Sequence, residues 1–484
     1  MFALLQVLPI FPSDHVTNMA SVAGLMVVWW ITEALPLAAT ALLPLVLFPV
    51  LGITSGKEVA AVYMNSTIFL FIGGFVLALS MQRWDLHTRI ALRVISWFHG
   101  SAMFMLLGFM ATSAFLSMWI SNTATATMLL PIGLAVYARA AEQLNERDKQ
   151  YLLTAMMLGI AYSCSIGGTA TLIGTPPNLA LQRIFLITFP DAADITFAQW
   201  LLFALPLSVS LLLITWLVIS YRYTGRRFTA LQFSTRELHS LSDKPMSFEE
   251  KTVATVFSLT ALSWMFRQDI VIGSLTIPGW SNLFDNAGLI NDGTIAIAAA
   301  TVLFILPSKN KRHHARIADS DTISNLPWNI VLLFGGGFAL AKGFTASGLS
   351  EYIGQQFVDM QNLDPMALIA GVSTIVIFLT EVTSNTATSQ ILLPVVASVA
   401  KQIEVNPLLL MLPVTLSASM AFMMPVATPP NAIVFASGRL HIRDMIKTGL
   451  IINLIAIVLI TLHSWFIGTA VFDIDINSMP AWAR

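Results

Sequence analysis

Two stretches of this 484-residue chain are near copies of one another. Residues 121–131 read SNTATATMLLP and residues 384–394 read SNTATSQILLP, eight identities in eleven positions at an offset of 263 residues. The same offset carries Leu70, Phe71, Gly73, Gly74 and Phe75 onto Leu333, Phe334, Gly336, Gly337 and Phe338. Each copy is followed by Thr-Pro-Pro-Asn, at 175–178 and at 428–431, where the offset is 253. The second half is therefore ten residues tighter between its two motifs. Separated blocks recurring in one order are an internal duplication, and the period is far too long for a solenoid of short repeats.

Composition says where the duplicated halves reside. Hydrophobic residues make up 56% of the chain and charged residues only 11%, against about a quarter charged in a soluble globular domain. Lipid must therefore solvate most of the surface. A net charge of −1 supplies no basic field for nucleic acid, and one cysteine, Cys164, excludes an internal disulfide framework or a multi-cysteine metal site. The apolar opening segment, residues 1–12, lacks basic flanks and a small-residue cleavage site, so it is not read as a signal peptide. It is also short of the roughly 20 residues a spanning helix needs, so the first helix is a stub or the natural protein begins upstream.

Apolar runs of spanning or near-spanning length recur along the chain without strand alternation, which predicts an all-α polytopic membrane protein. Runs 104–136 and 367–400 are too long for one plain span and carry Ser-Asn-Thr midway, as expected of re-entrant hairpins that turn at the motif. Runs 152–189 and 408–436 are interrupted by Pro-Pro, where a helix should break. Basic residues cluster in 221–251, in 309–316 and in 439–447, which the positive-inside tendency makes cytoplasmic. Counting spans from there, the first hairpin opens to the cytoplasm and the second to the exterior, an inverted repeat with the C-terminus outside. The expected segments are 1–100 (scaffold helices and the start of repeat 1), 101–222 (hairpin and broken helix of repeat 1) and 223–251 (cytoplasmic linker). They continue as 252–350 (scaffold helices and the start of repeat 2), 351–472 (hairpin and broken helix of repeat 2) and 473–484 (tail).

Each Ser-Asn-Thr offers two hydroxyls and a carboxamide. Each Pro-Pro break frees carbonyls and exposes the amino end of a half-helix, which attracts anions. Freed carbonyls together with Ser, Thr and Asn oxygens suit a hard monovalent cation such as Na⁺. Two such sets facing one another would hold a solute with a negative group at each end. No Arg, Lys or His lies within the motifs, so bound cations would have to neutralise the anion, and uncompensated carboxylates would cost several kcal/mol to desolvate.

The paired Ser-Asn-Thr motifs, the paired Gly/Ala-Thr-Pro-Pro-Asn motifs and the run MVVWWITEALPLAATALLPLVLFPVLG at 26–52 resemble the divalent anion/sodium symporters, the INDY-type di- and tricarboxylate transporters. The resemblance covers nearly the whole chain. It implies eleven transmembrane helices plus two re-entrant hairpins, a homodimer joined through a scaffold domain, and a transport domain that moves as an elevator. It implies substrate contacts from Ser121, Asn122, Thr123, Thr175 and Pro176 in one half and from Ser384, Asn385, Thr386, Thr428 and Pro429 in the other. One sodium site would use Ser117, Ser121, Asn122 and the Gly174 carbonyl, and the other Thr380, Thr383, Asn385 and the Ala427 carbonyl. The function implied is sodium-coupled uptake of C4-dicarboxylates such as succinate, malate or fumarate, with Na⁺ as the coupling ion, in a bacterial inner membrane. Dicarboxylate exchange, citrate or sulfate carriage on the same fold, and an anion channel are the alternatives.

The remaining candidates carry less. Glu381 lies in an apolar run, but its repeat counterpart is Met118, so a two-fold site does not require it, and pairing with a nearby base or hydroxyl network is expected. Glu33 is read as an exposed or capped helix end, and Trp29 and Trp30 as an interfacial belt. His313 and His314 have no carboxylate at ligand spacing, and the Gly73-Gly74 and Gly335–Gly337 runs are expected to admit close helix approach. No nucleophile–base–orienter set is present, so an enzyme is not expected.

Overall fold

The computed structural model describes residues 2–7, 11–98, 100–142, 144–224, 232–233, 245–272, 275–310, 315–358, 363–476 and 478–484. The larger part of the basic linker, the His313-His314 pair and Asp359 lie outside the described residues. Helices dominate, with two short two-stranded ribbons (Gly100–Ser101 with Gln232–Phe233, and Ile270–Ile272 with Leu275–Ile277). Six described helices are long and apolar enough to cross a membrane, and five shorter apolar helices accompany them.

In chain order the helices that position the site are α1 (Asp14–Thr32), α2 (Ser66–Arg83), α3 (Leu86–Trp97), α4 (Ala102–Ser117) and α5 (Asn122–Ala141). Next come α6 (Glu146–Gly168), α7 (Pro176–Thr188), α8 (Phe197–Ile219), α9 (Phe248–Met265), α10 (Asp292–Ile305) and α11 (Trp328–Ser347). The series ends with α12 (Pro365–Thr380), α13 (Asn385–Gln402), α14 (Leu408–Ser417), α15 (Pro429–Ala436) and α16 (Ile442–His463). The duplication is thus structural. Helix–break–helix units α4/α5 and α6/α7 recur as α12/α13 and α14/α15.

Local chemistry sets where these helices start. Oδ1 of Asn65 caps α2 by accepting from the amides of Thr67 (3.0 Å) and Ile68 (3.3 Å). Thr196 and Gln199 form a reciprocal capping box on α8. Pro176-Pro177 and Pro429-Pro430 occupy the first turns of α7 and α15, where a missing N–H costs nothing because the first amides of a helix have no partner. The prolines therefore start the second half-helix rather than break the first. Helices α6 and α14 have already ended, at Gly168 and Ser417, well before the prolines.

Packing draws the halves together. Helix α6 packs against α15, α5 against α15, and α7 against α13, so each broken unit of one repeat leans on the other repeat. Helices α9 and α10 instead pack on each other, with α10 along α2. The glycine runs do allow close approach: a Cβ on Gly73 would lie 2.5 Å from the backbone of Ala296, and one on Gly336 would lie 2.6 Å from Ala41. At the start of α10, the buried Arg267–Asp292 ion pair (2.6 Å) anchors the α9–α10 connection. The second carboxylate oxygen of Asp292 accepts from the amide of Phe197 (3.1 Å), tying that connection to the start of α8.

Candidate functional site

In the first half, the Ser117 hydroxyl donates across the α4/α5 break to Oδ1 of Asn122, the first residue of α5. The Ser121 hydroxyl caps the same helix through the Ala124 amide (3.2 Å). Gly168, the last residue of α6, is needed here because a Cβ would lie 2.6 Å from Oδ1 of Asn122 and 3.1 Å from the Gly174 carbonyl. The Asn122 side-chain oxygen and that carbonyl therefore converge on one point beside Gly168. The unwound stretch between α6 and α7 is held by Asn178, whose Nδ2 donates to the carbonyls of Thr171 (2.7 Å), Thr169 (3.2 Å) and Gly168 (3.4 Å).

The second half repeats this arrangement. Oγ1 of Thr380 lies 2.9 Å from Oδ1 of Asn385 and 2.9 Å from the Ala418 carbonyl. The Thr383 hydroxyl reaches the Leu379 carbonyl (2.9 Å) and the Thr388 hydroxyl (2.6 Å). Nδ2 of Asn431 donates to the carbonyls of Ala421 (3.0 Å) and Met424 (3.1 Å), as Asn178 does in the first half. One element has no counterpart. The buried Glu381 carboxylate accepts from the amides of Phe422 (2.7 Å), Met423 (2.9 Å) and Met424 (2.9 Å) and from Nδ2 of Asn453 (2.7 Å). Its partners are backbone amides and a carboxamide, not the base or hydroxyl network expected. Met118, its repeat counterpart, contributes instead a main-chain carbonyl that accepts from the Thr171 hydroxyl.

Both halves open onto a single cavity of about 670 Å³. Of the residues singled out in the sequence, Ser121, Asn122, Thr123, Gly174, Thr175 and Pro176 line it from one repeat. Thr383, Ser384, Asn385, Thr386, Ala427, Thr428 and Pro429 line it from the other. Ser117 and Thr380 do not. Both are fully buried behind the cavity wall and orient the asparagines that face it. The helices α5, α7, α13 and α15 all begin at lining residues, so four helix amino ends meet at this cavity. Such ends carry the positive pole of the helix dipole, and α5 and α13 add unpaired first-turn amides, whereas α7 and α15 open with prolines that have no N–H. The lining residues include no Lys, Arg or His.

The rest of the wall is apolar apart from Thr32 and Glu33 and includes Trp30, Leu37, Phe71, Phe75, Ile173 and Ile330. Trp30 was expected at a membrane interface. It is instead buried, because its indole N–H satisfies the Leu37 carbonyl (3.1 Å) where the chain reverses after α1. Glu33 is the exposed helix end expected, and it also lines the cavity. Sequence reasoning missed the struts Asn178, Asn431 and Gly168. The repeated asparagine of Thr-Pro-Pro-Asn was the available signal for the first two.

Chemically, the site pairs oxygen-only donor sets, suited to a hard cation, with four helix amino ends suited to anions. The family described as "Sodium:sulfate symporter transmembrane region" matches residues 4–472. A sodium-dependent dicarboxylate transporter of Staphylococcus saprophyticus is 41% identical over 456 residues, covering 93% of this chain and 85% of the relative. The transporter of the same name from Staphylococcus aureus is 41% identical over 460 residues with the same coverage. Among solved structures, MtrF of Neisseria gonorrhoeae aligns with a TM-score of 0.60 at 13% identity, over 99% of this chain and 98% of that one. The YdaH transporter of Alcanivorax borkumensis aligns with a TM-score of 0.56 at 13% identity, over 93% and 98%. At that identity the two structures speak to the fold alone. The chain is a membrane transporter rather than an enzyme, and it belongs to the sodium:sulfate symporter family.

Proposed function

We propose that the protein takes up C4-dicarboxylates such as succinate, malate and fumarate across a bacterial inner membrane, coupled to sodium. The observation that carries this reading is the meeting of four helix amino ends at a cavity whose lining residues include no cationic side chain. Helix ends attract the two carboxylates, but the positive pole of each dipole is balanced by the negative pole of the same helix and adds no net charge. Sodium ions held by Ser121, Asn122 and Gly174 and by Thr383, Asn385 and Ala427, with Ser117 and Thr380 orienting the asparagines, complete the neutralisation. Solute binding therefore requires the ions. The dicarboxylate named for the 41%-identical relatives agrees with a cavity that has two polar cradles and apolar walls between them.

Segments 101–222 and 351–472 move as the transport domain against a scaffold of 1–100 and 252–350, with two copies joined through the scaffold. The interlock of α6, α7, α13 and α15, set against the separate α2/α9/α10 packing, supports that division. The two hairpins enter from opposite faces of the bilayer, and the C-terminus lies outside. Sulfate is the second reading, favoured by the family description. The test is uptake of labelled succinate by proteoliposomes with and without an inward sodium gradient, with unlabelled sulfate as competitor. Sodium-dependent uptake that sulfate does not compete for supports the proposal. Uptake indifferent to sodium, or requiring dicarboxylate inside the vesicle, ends it.

A further inference from the structure

Among the residues lining the cavity, Glu33 alone carries a charge, and that charge is negative. Three further observations bear on it. It follows the last turn of α1 in the left-handed region (φ 49°, ψ 35°), which favours glycine, asparagine and aspartate over glutamate. Its side chain is exposed. No hydrogen bond or ion pair to another described residue engages its carboxylate, and no basic residue shares the lining. Glu404 adopts the same conformation (φ 58°) away from the cavity, so the feature particular to Glu33 is its unpaired charge in a cavity for anions.

We propose that Glu33 is a specificity-determining residue that collects sodium into the cavity and discriminates among anions by their charge. This rests on the symport reading above. The carboxylate attracts each sodium ion with one unit of interaction and repels each anion in proportion to the anion's charge. For charges ~10 Å apart across water the effect is about twofold per unit of charge. A dianion is disfavoured about fourfold and a trianion about eightfold by the same arithmetic. The dianion recovers its loss once sodium ions have bound, whereas a trianion retains a residual penalty. Glu33 thus favours sodium-first loading and sets dicarboxylates ahead of tricarboxylates.

The test compares Glu33→Asn with Glu33→Asp, two side chains of one shape that both tolerate the left-handed conformation and differ in charge. Labelled succinate uptake is measured in proteoliposomes at pH 8, with citrate as the trianionic competitor, at low and high choline chloride. In Glu33→Asn the sodium concentration for half-maximal uptake should rise about twofold, and the citrate inhibition constant should fall about twofold more than the succinate KM. Both changes should shrink at high salt, and Glu33→Asp should match the wild type. If the two variants change together, or if citrate and succinate shift equally, Glu33 acts through shape and the inference is overturned. Wild-type protein that takes up no succinate overturns the symport reading itself, a result distinct from either.

Discussion

Thr380 and Asn385 lie on opposite sides of a helix break, and a 2.9 Å hydrogen bond joins the hydroxyl of the first to Oδ1 of the second. Ser117 and Asn122 have the same relationship in the other repeat. The asparagine oxygen is thereby aimed by a residue that never reaches the cavity. Losing either asparagine removes a cation ligand and a cavity contact at once. Asn122→Ala and Asn385→Ala should each raise the sodium concentration for half-maximal uptake by about tenfold, equivalent to ~1.4 kcal/mol, and raise the succinate KM as well. Sodium titrations of uptake check this, and unchanged sodium dependence in either variant removes that half from the site.

The aiming residues should separate from the lining ones. Ser117→Ala and Thr380→Val keep every cavity-facing group and remove the hydroxyl that meets the asparagine oxygen, which in Thr380 also meets the Ala418 carbonyl. The expected cost is roughly 1 kcal/mol, read as a sodium affinity weakened about fivefold with succinate KM at saturating sodium little changed. A succinate KM that rises at saturating sodium would show direct contact with the substrate.

Glu381 should prove structural. Its carboxylate satisfies three backbone amides and Asn453 inside the protein, and Glu381→Ala would leave those donors orphaned at about 1–3 kcal/mol each. The variant should therefore melt well below the wild type in detergent. Glu381→Gln, which keeps an acceptor oxygen, should fall between them. If Glu381→Ala melts like the wild type while losing sodium coupling, the residue belongs to the ion path instead.

Asp194 predicts a pH effect. It lies in the connection between α7 and α8, where burial first and the neighbouring Asp292 second push its carboxyl from an ordinary value of 3.8 up to about 6. The folded protein therefore holds a proton that the unfolded chain has released, and the associated stability, complete below pH ~4, is lost as pH rises through about 6. Asp194→Asn should melt like the wild type near pH 4 and be more stable by about 2 kcal/mol at pH 8. Melting curves across that range decide it. A wild type that gains stability relative to the variant with rising pH has the sign reversed.

Close packing gives a further check. A Cβ on Gly449 would strike the backbone of Phe422, within the unwound stretch that Glu381 and Asn431 hold. Gly449→Ala should cost about 1–3 kcal/mol and lower uptake more than Gly371→Ala, where a Cβ meets open space. Both are read by expression, melting and sodium-driven uptake.

Much of this architecture was legible before the structure. The 263-residue offset located the paired Ser-Asn-Thr breaks, since short polar runs in apolar sequence must meet something other than lipid, and the family resemblance implied thirteen of the residues that line the cavity. What stayed hidden depends on partners far apart in sequence. Nothing around Glu381 announces amides 41 to 43 residues away, and nothing around Glu33 places it beside residues 121 and 384. The prolines were legible as punctuation but not in direction. Only the structure distinguishes ending one helix from starting the next.

The convergence of α5, α7, α13 and α15 on one chamber has a chemical corollary. Positive potential woven from peptide units cannot be deprotonated away, acylated or carbamylated as a lysine pocket can. Amine-reactive reagents should leave recognition intact, and the half-neutralised form of the acid should be passed over because it presents one carboxylate where the protein offers two receptors.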